Sequence, residues 1–277
     1  MRRPRSKSIR RRTASRSTGS SRSASRRTSC RWRSAIFFSR SNGGAAVERY
    51  SWLNLQLLLD SALPVGSFAH SYGLETLVQE GAVATGEQLR LYLEAMLRQS
   101  WSTSDLMAVK AVYEGPPDEE AAKEYAYRVE RIVHFQRLGA ETRDGVEKTG
   151  RRLLRLAPSL FPSLPLGDLS ADIREGKALG THPLVFGALC RRLGVPLDQA
   201  AEGYLYACAS TCVNAALRLM SIGQNEAQRL LAGTFPVIAE AWNDVRGMEP
   251  EDAYGAMPLA ELAMIRHEKL YSRLFMS

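Results

Sequence analysis

The first 46 residues contain no aspartate or glutamate, yet they carry thirteen arginines and Lys7. This absence locates the charge of the chain. Over all 277 residues, 37 basic and 29 acidic side chains give a formal charge of +8, so residues 47–277 hold 23 against 29 and are acidic. The pI near 9.5 belongs to a tail.

Cysteine is scarce as well, with Cys30 in the tail and Cys190, Cys208 and Cys212 in the body. An odd set without regular spacing excludes a secreted disulfide framework and suits a reducing cytosol. No apolar run follows the N-terminal charges as it would in a secretory signal. The uncharged stretch from Gly203 to Leu217 is too short and too polar to span a bilayer. A soluble, cytoplasmic protein is expected. Alternating β-branched runs are missing too, which excludes the β classes.

The usual signs of catalysis and cofactor binding are also absent. A nucleophile elbow needs G-x-S-x-G between a strand and a helix, and Gly66-Ser67-Phe68-Ala69-His70 has neither that spacing nor a preceding strand. His70, His134, His182 and His267 form no H-x3-H pair. Cys208 and Cys212 share a helical face and offer two soft ligands for zinc or nickel. Without a third ligand, two small side chains in a core helix explain them better. Gly145-Val-Glu-Lys-Thr-Gly150 runs into Arg151-Arg152 where a phosphate loop has Lys-Ser/Thr, and no strand precedes it. No catalytic, cofactor or metal residue is therefore assigned.

What is present is an Arg/Ser-rich tail and a helical body. The tail lacks hydrophobic periodicity and has too little apolar surface to offset the entropy of ordering, so residues 1–46 are expected to be disordered. Three readings stay open: a nucleic-acid-binding arm, an organellar transit peptide, or translated sequence upstream of a non-AUG start at Val47. The abrupt onset of pattern at Tyr50-Ser51-Trp52-Leu53 favours the third.

Residues 47–277 are rich in Leu, Ala, Glu, Arg and Gln, with Gly and Pro as punctuation. They are expected to form an all-α domain, a single bundle of about ten helices. Helices are expected at Tyr50–Leu59, Leu74–Val83, Glu87–Trp101, Ser104–Glu114, Asp118 to about Leu138, and Glu141–Leu156, the last stopped by Pro158. A long loop is expected over Ser159–Gly180, then a helix capped by Thr181 with His182 and Pro183 in its first turn. Leu197–Met220, apolar on most sides, is expected at the centre, followed by Glu226–Val245 and Leu259–Phe275.

Between the first two helices lies DSALPVGSFAHSYGLE, residues 60–75, which looks like a catalytic kit. Its bland reading is a shaped turn: Asp60 after a helix end, Pro64, Gly66 and Gly73 setting the backbone, Ser71 capping the next helix and Glu75 near its positive end. Ser67 and His70 are then parts of the fold or of an interface. His182 reads as a cap contact and His267 as a surface or interface residue.

That stretch, with Leu57-Leu58-Leu59 before it, resembles the N-terminal signature of the UreF family of urease accessory proteins. Thr181-His182-Pro183-Leu184-Val185-Phe186-Gly187 is similar to a second family motif. Ala216-Leu217-Arg218-Leu219-Met220 with Gly223-Gln224 matches a third, and His267-Glu268-Lys269-Leu270-Tyr271-Ser272-Arg273-Leu274-Phe275 a fourth. The resemblance spans about residues 50–277. It implies an all-α protein, usually a homodimer, with no catalysis of its own. Such a protein bridges UreD, also called UreH, and the GTPase UreG on apo-urease and supports GTP-dependent nickel insertion.

Carried onto this chain, the resemblance makes Tyr271, Arg273 and Phe275, with His267, candidates for partner contact. The segment from Leu259 to Ser277 is then expected to be loosely held until a partner orders it. Two other readings remain, a nucleic-acid-associated helical protein using the tail and a small metal enzyme using Cys208, Cys212 and a histidine. Neither accounts for four motifs in this order. The body shows no basic face with interleaved aromatics, so nucleic acid is not an expected partner of residues 47–277.

Overall fold

The computed structural model describes residues 50–276. The tail at 1–46, and with it the boundary at residue 47, lies outside the described residues. Among those described there is no strand, only an isolated bridge between His70 and Met276, and the all-α expectation holds.

Helix α1 (Ser51–Leu59) leads into the 60–75 turn, which holds a short 3-10 segment, Ser67–Ala69, and then α2 (Leu74–Gln79). Thr85 opens α3 (Gly86–Met96) with a capping box, its hydroxyl accepting from the Gln88 amide while the Gln88 side chain reaches back to the Thr85 amide. The chain then continues without a break through a π-helical stretch, Leu97–Asp105, into α4 (Leu106–Glu114). The break expected between Trp101 and Ser104 is therefore a change of helix type. The π turn loosens the usual carbonyl pattern, and the carbonyls of Gln99 and Thr103 accept from the amides of Ala256 and Tyr254 at 2.8 and 2.9 Å.

Helix α5 (Glu119–Gln136) is capped by Asp118, whose carboxylate accepts from the Ala121 amide at 2.8 Å. Helix α6 (Ala140–Leu160) passes through Pro158, where a stop was expected. The proline falls in the last turn, and burial of Leu153, Leu154 and Ala157 holds that turn in place. The expected loop at 159–180 contains α7 (Gly167–Arg174), pinned by Tyr127 donating to Asp172 at 2.8 Å. Four polar or charged residues among its eight, Asp168, Ser170, Asp172 and Arg174, mask this helix in sequence, because the burial of Asp172 depends on α5.

Helices α8 (His182–Arg192) and α9 (Leu197–Leu219) form the interior with α4, whose residues Leu106–Ala111 are all buried. Helix α9 packs against α1, α2 and α4, as its apolar character requires. The single helix expected over Glu226–Val245 is two, α10 (Gln224–Gly233) and α11 (Phe235–Val245), separated at Thr234. Pro236 favours a new helix start there, and the Thr234 hydroxyl donates to the Leu231 carbonyl at 2.7 Å. Helix α12 (Pro258–His267) is shorter than expected, because residues 268–276 leave it as an irregular strap.

Candidate functional site

The turn at 60–75 is built on two left-handed glycines, Gly66 and Gly73, both at φ +84°, a conformation that a side chain disfavours. Tyr72 shares the left-handed region at φ 54° and is held there by Tyr92, whose hydroxyl donates to its carbonyl, and by edge-on packing against Trp101 at 5.1 Å. Asp60 accepts from the Ala62 amide at 2.8 Å, a local turn contact. Pro64 is exposed, and Ser67 lines a cavity under the turn. Ser71 does not cap α2: its hydroxyl is buried without a partner, and Gly73 occupies the cap position.

Glu75 and Asp60 do not face each other. Glu75 turns into the protein, where the amides of Leu274 and Phe275 donate to its carboxylate at 2.7 and 3.1 Å and His267 Nε2 lies 2.8 Å away. His267 Nδ1 lies 3.1 Å from Glu141, and the other oxygen of Glu141 accepts from Arg273 at 3.1 Å. His267, expected at a surface or an interface, is fully buried, with both ring nitrogens claimed by carboxylates from α2 and α6. The strap is fastened further by backbone pairing of Met276 with Ala69 and Ser71 and by Gln79 donating to the Ser272 carbonyl. In the structure the segment from Leu259 to Met276 is packed and hydrogen-bonded to α2, α6 and the turn at 60–75. Phe275 is buried with Arg218 over its ring, while Tyr271 and Leu274 face outward.

The second motif is held by a parallel device. Glu130 on α5 accepts from the Leu179 amide, the Thr181 amide and the Thr181 hydroxyl at 2.8, 2.7 and 2.8 Å. Thr181 stands at the N-cap position of α8 as expected, but its side chain goes to Glu130 and makes no cap hydrogen bond. Burial pushes the Glu130 carboxyl above its ordinary range, and the Thr181 and Leu179 donors pull against that rise. Pro183 is buried in the first turn of α8. His182 makes no cap contact. Its ring packs on Phe186 and Tyr204 and lines the cavity, and burial followed by the neighbouring His70 lowers its pKa to about 4.

Both motifs rest on α6. A methyl group on Gly145 would collide with the His70 ring, and one on Gly150 would collide with the backbone of Gly180 and Thr181. These two glycines, which form no phosphate loop, let two loops approach one helix. His70 completes the seat, with Nε2 at 3.3 Å from Thr149 Oγ1.

The cavity enclosed by the two motifs, α6 and the π turn measures about 290 Å³. Its wall includes the buried Arg137–Asp105 ion pair. Burial opposes the Arg137 charge, but Asp105 outweighs it and the guanidinium titrates above its ordinary value. His134, paired with Glu147 at 3.3 Å, is pushed down to about 4 by burial and then by Arg137 and Arg143. Among the described residues, no group of three or more His, Cys, Asp or Glu side chains is placed to hold a metal, and no helix is long and apolar enough to cross a membrane. Cys208 and Cys212 are buried free thiols of α9, and burial pushes both up, Cys212 to about 12.

This arrangement is that of an all-helical protein whose buried carboxylates on α2 and α5, with Glu141 on α6, fasten a loop and the irregular strap to the bundle. The family model described as UreF matches residues 83–234. A urease accessory protein UreF from Arthrobacter sp. (strain FB24) is 36% identical over 233 residues, covering 84% of this chain and all of the relative. Another from Paenarthrobacter aurescens (strain TC1) is 35% identical over 225 residues, covering 81% of this chain and 97% of the relative. A third, from Bacillus sp. (strain TB-90), is 33% identical over 225 residues, covering 81% and 98%. The chain belongs to the UreF family.

Proposed function

We propose that this chain acts in urease maturation as a docking protein without catalysis of its own. It bridges UreD, also called UreH, and the GTPase UreG on apo-urease and supports GTP-dependent insertion of nickel, which is cargo and not a resident cofactor. It works in the cytoplasm as a homodimer. Similarity to urease accessory proteins over more than four fifths of the chain carries this reading. The site is consistent with it, since its buried carboxylates are used up in holding backbone amides and an imidazole. Trp52, Leu53 and Leu57, exposed on α1, offer apolar surface of the kind that a second copy covers.

Partner contact is assigned to the strap: Tyr271 and Leu274 face outward and Arg273 is half exposed, whereas His267 and Phe275 become reachable only if the strap lifts. Removal of everything after Met257 would take away buried Ala260 and Ala263 along with the strap, so a chain ending at Lys269 is the cleaner test. Co-expression with urease and its accessory proteins should give active enzyme with the full chain and little without it. The shortened chain should fold but fail to hold its partners. Urease activation that did not need this chain would overturn the reading.

A further inference from the structure

Irregular backbone gathers around the cavity of about 290 Å³. The π-helical stretch contributes Ser100, Trp101, Ser104 and Asp105 to its wall. Tyr72, among the described residues the one non-glycine residue in the left-handed region, lines it as well. Such departures cost stability and concentrate where a protein meets a ligand. The buried Arg137–Asp105 ion pair adds to that cost, since apolar side chains of the same volume would hold the bundle together as well or better. Three costs fall on one cavity, whose volume is near the lower limit for a small organic ligand, and they point to a use other than packing.

The lining selects the ligand. Its floor is aromatic: Trp101 and Tyr204 are 1% and 3% exposed, and Tyr72 stands edge-on to Trp101. At the mouth are Gln136, Tyr254, which is 49% exposed, and Glu261, whose carboxylate is fixed where it accepts from the Leu138 amide at 3.0 Å. Among the Asp, Glu, Lys and Arg side chains of the wall, Arg137 and Asp105 cancel, and Glu261 leaves an excess of negative charge. Burial keeps the His182 imidazole neutral near pH 7, so it offers a lone pair and no positive charge. The faces of Trp and Tyr rings attract ammonium groups, more strongly away from water. A carboxylate would instead meet Glu261 and find Arg137 already claimed by Asp105. We propose that this cavity binds a small organic ammonium ion over its aromatic floor, with Glu261 as the counter-charge at the mouth. The site is a property of the isolated chain and needs none of the partners named above.

Calorimetric titration of the full chain with three probes of similar bulk tests this. They are choline, the uncharged alcohol in which carbon replaces the choline nitrogen, and tert-butylacetate. Choline should bind saturably, the alcohol about tenfold more weakly, and the carboxylate not measurably. Glu261→Gln keeps an acceptor for the Leu138 amide and should weaken choline binding about tenfold. Tyr254→Leu keeps apolar bulk at the mouth, removes the ring face, and should weaken it about threefold. Both variants change half-exposed side chains and should melt with the parent chain. Equal binding of choline and the alcohol would show that the cavity reads shape and not charge, and would overturn the proposal. Tighter binding of tert-butylacetate would overturn it by making Arg137 the recognised charge. Choline binding unaffected by Glu261→Gln, or no saturable heat with either choline or methylammonium, would also sink it.

Discussion

Glu75 and Glu130 are both buried glutamates that gather donors from a distant loop, but they hold different kinds of chain. Glu130 holds residues 179–181, a loop tethered by α7 on one side and α8 on the other. Glu75 holds residues 274–275, part of the irregular strap after α12, in which Tyr271 and Leu274 face outward and Met276 pairs with Ala69 and Ser71. If Glu130 is lost, the freed donors stay buried, because the loop cannot leave. If Glu75 is lost, the strap can move into water and its amides hydrate. The same chemistry therefore makes a permanent rivet in one place and a releasable one in the other.

The largest effect is expected from Glu130→Ala, which strands three donors in the interior and should cost about 3–5 kcal/mol in urea denaturation of the whole bundle. Gly150→Ala should follow at about 1–3 kcal/mol, since its methyl would meet the Gly180 and Thr181 backbone, which cannot move without unseating the Glu130 loop. Gly145→Ala meets a side-chain ring instead and should cost less by the same measurement. Glu75→Ala should lower global stability by only about 1–2 kcal/mol while greatly speeding amide exchange at Leu274 and Phe275. A Glu75→Ala chain as destabilised as Glu130→Ala would erase the contrast between rivet and latch.

The smallest effect concerns pH on the Glu130 side. His182 has a folded pKa of about 4 against an ordinary 6.5, so the unfolded chain binds the proton more readily. The stability that neutral His182 contributes is present above about pH 6.5 and is lost as pH falls toward 4. His182→Asn should flatten that part of the stability profile by on the order of 1 kcal/mol one pH unit below 6.5. Thermal melts across that window would show it, and an identical slope in the variant would contradict it.

Much of the scaffold was legible in sequence because helix propensity, caps and apolar period act over a few residues. The helix opening at Asp118 and the long apolar α9 could be read directly, as could the glycine-shaped turn at 60–75. Errors fell where a distant partner overrides the local signal. Pro158 continues a helix because Leu153, Leu154 and Ala157 are packed, α7 forms because Tyr127 receives Asp172, and α12 stops because His267 must meet two carboxylates. The candidate site was legible only as a set of motifs. The resemblance named Glu75, His182, His267 and Arg273, but their contacts with Glu130 and Glu141 left no trace in spacing, since nothing local distinguishes those two glutamates from solvated ones.

By itself, the sequence determined that this protein is helical, that its body is acidic, and which short motifs it carries, because composition and periodicity are properties of neighbours along the chain. Only the tertiary structure decided that the turn at 60–75, the loop at 179–183 and the strap at 268–276 converge on α6. Their hydrogen bonds join residues from about fifty to two hundred positions apart, as Thr181 with Glu130 and Phe275 with Glu75 show. Such bonds exist only once burial has removed water as the competing partner.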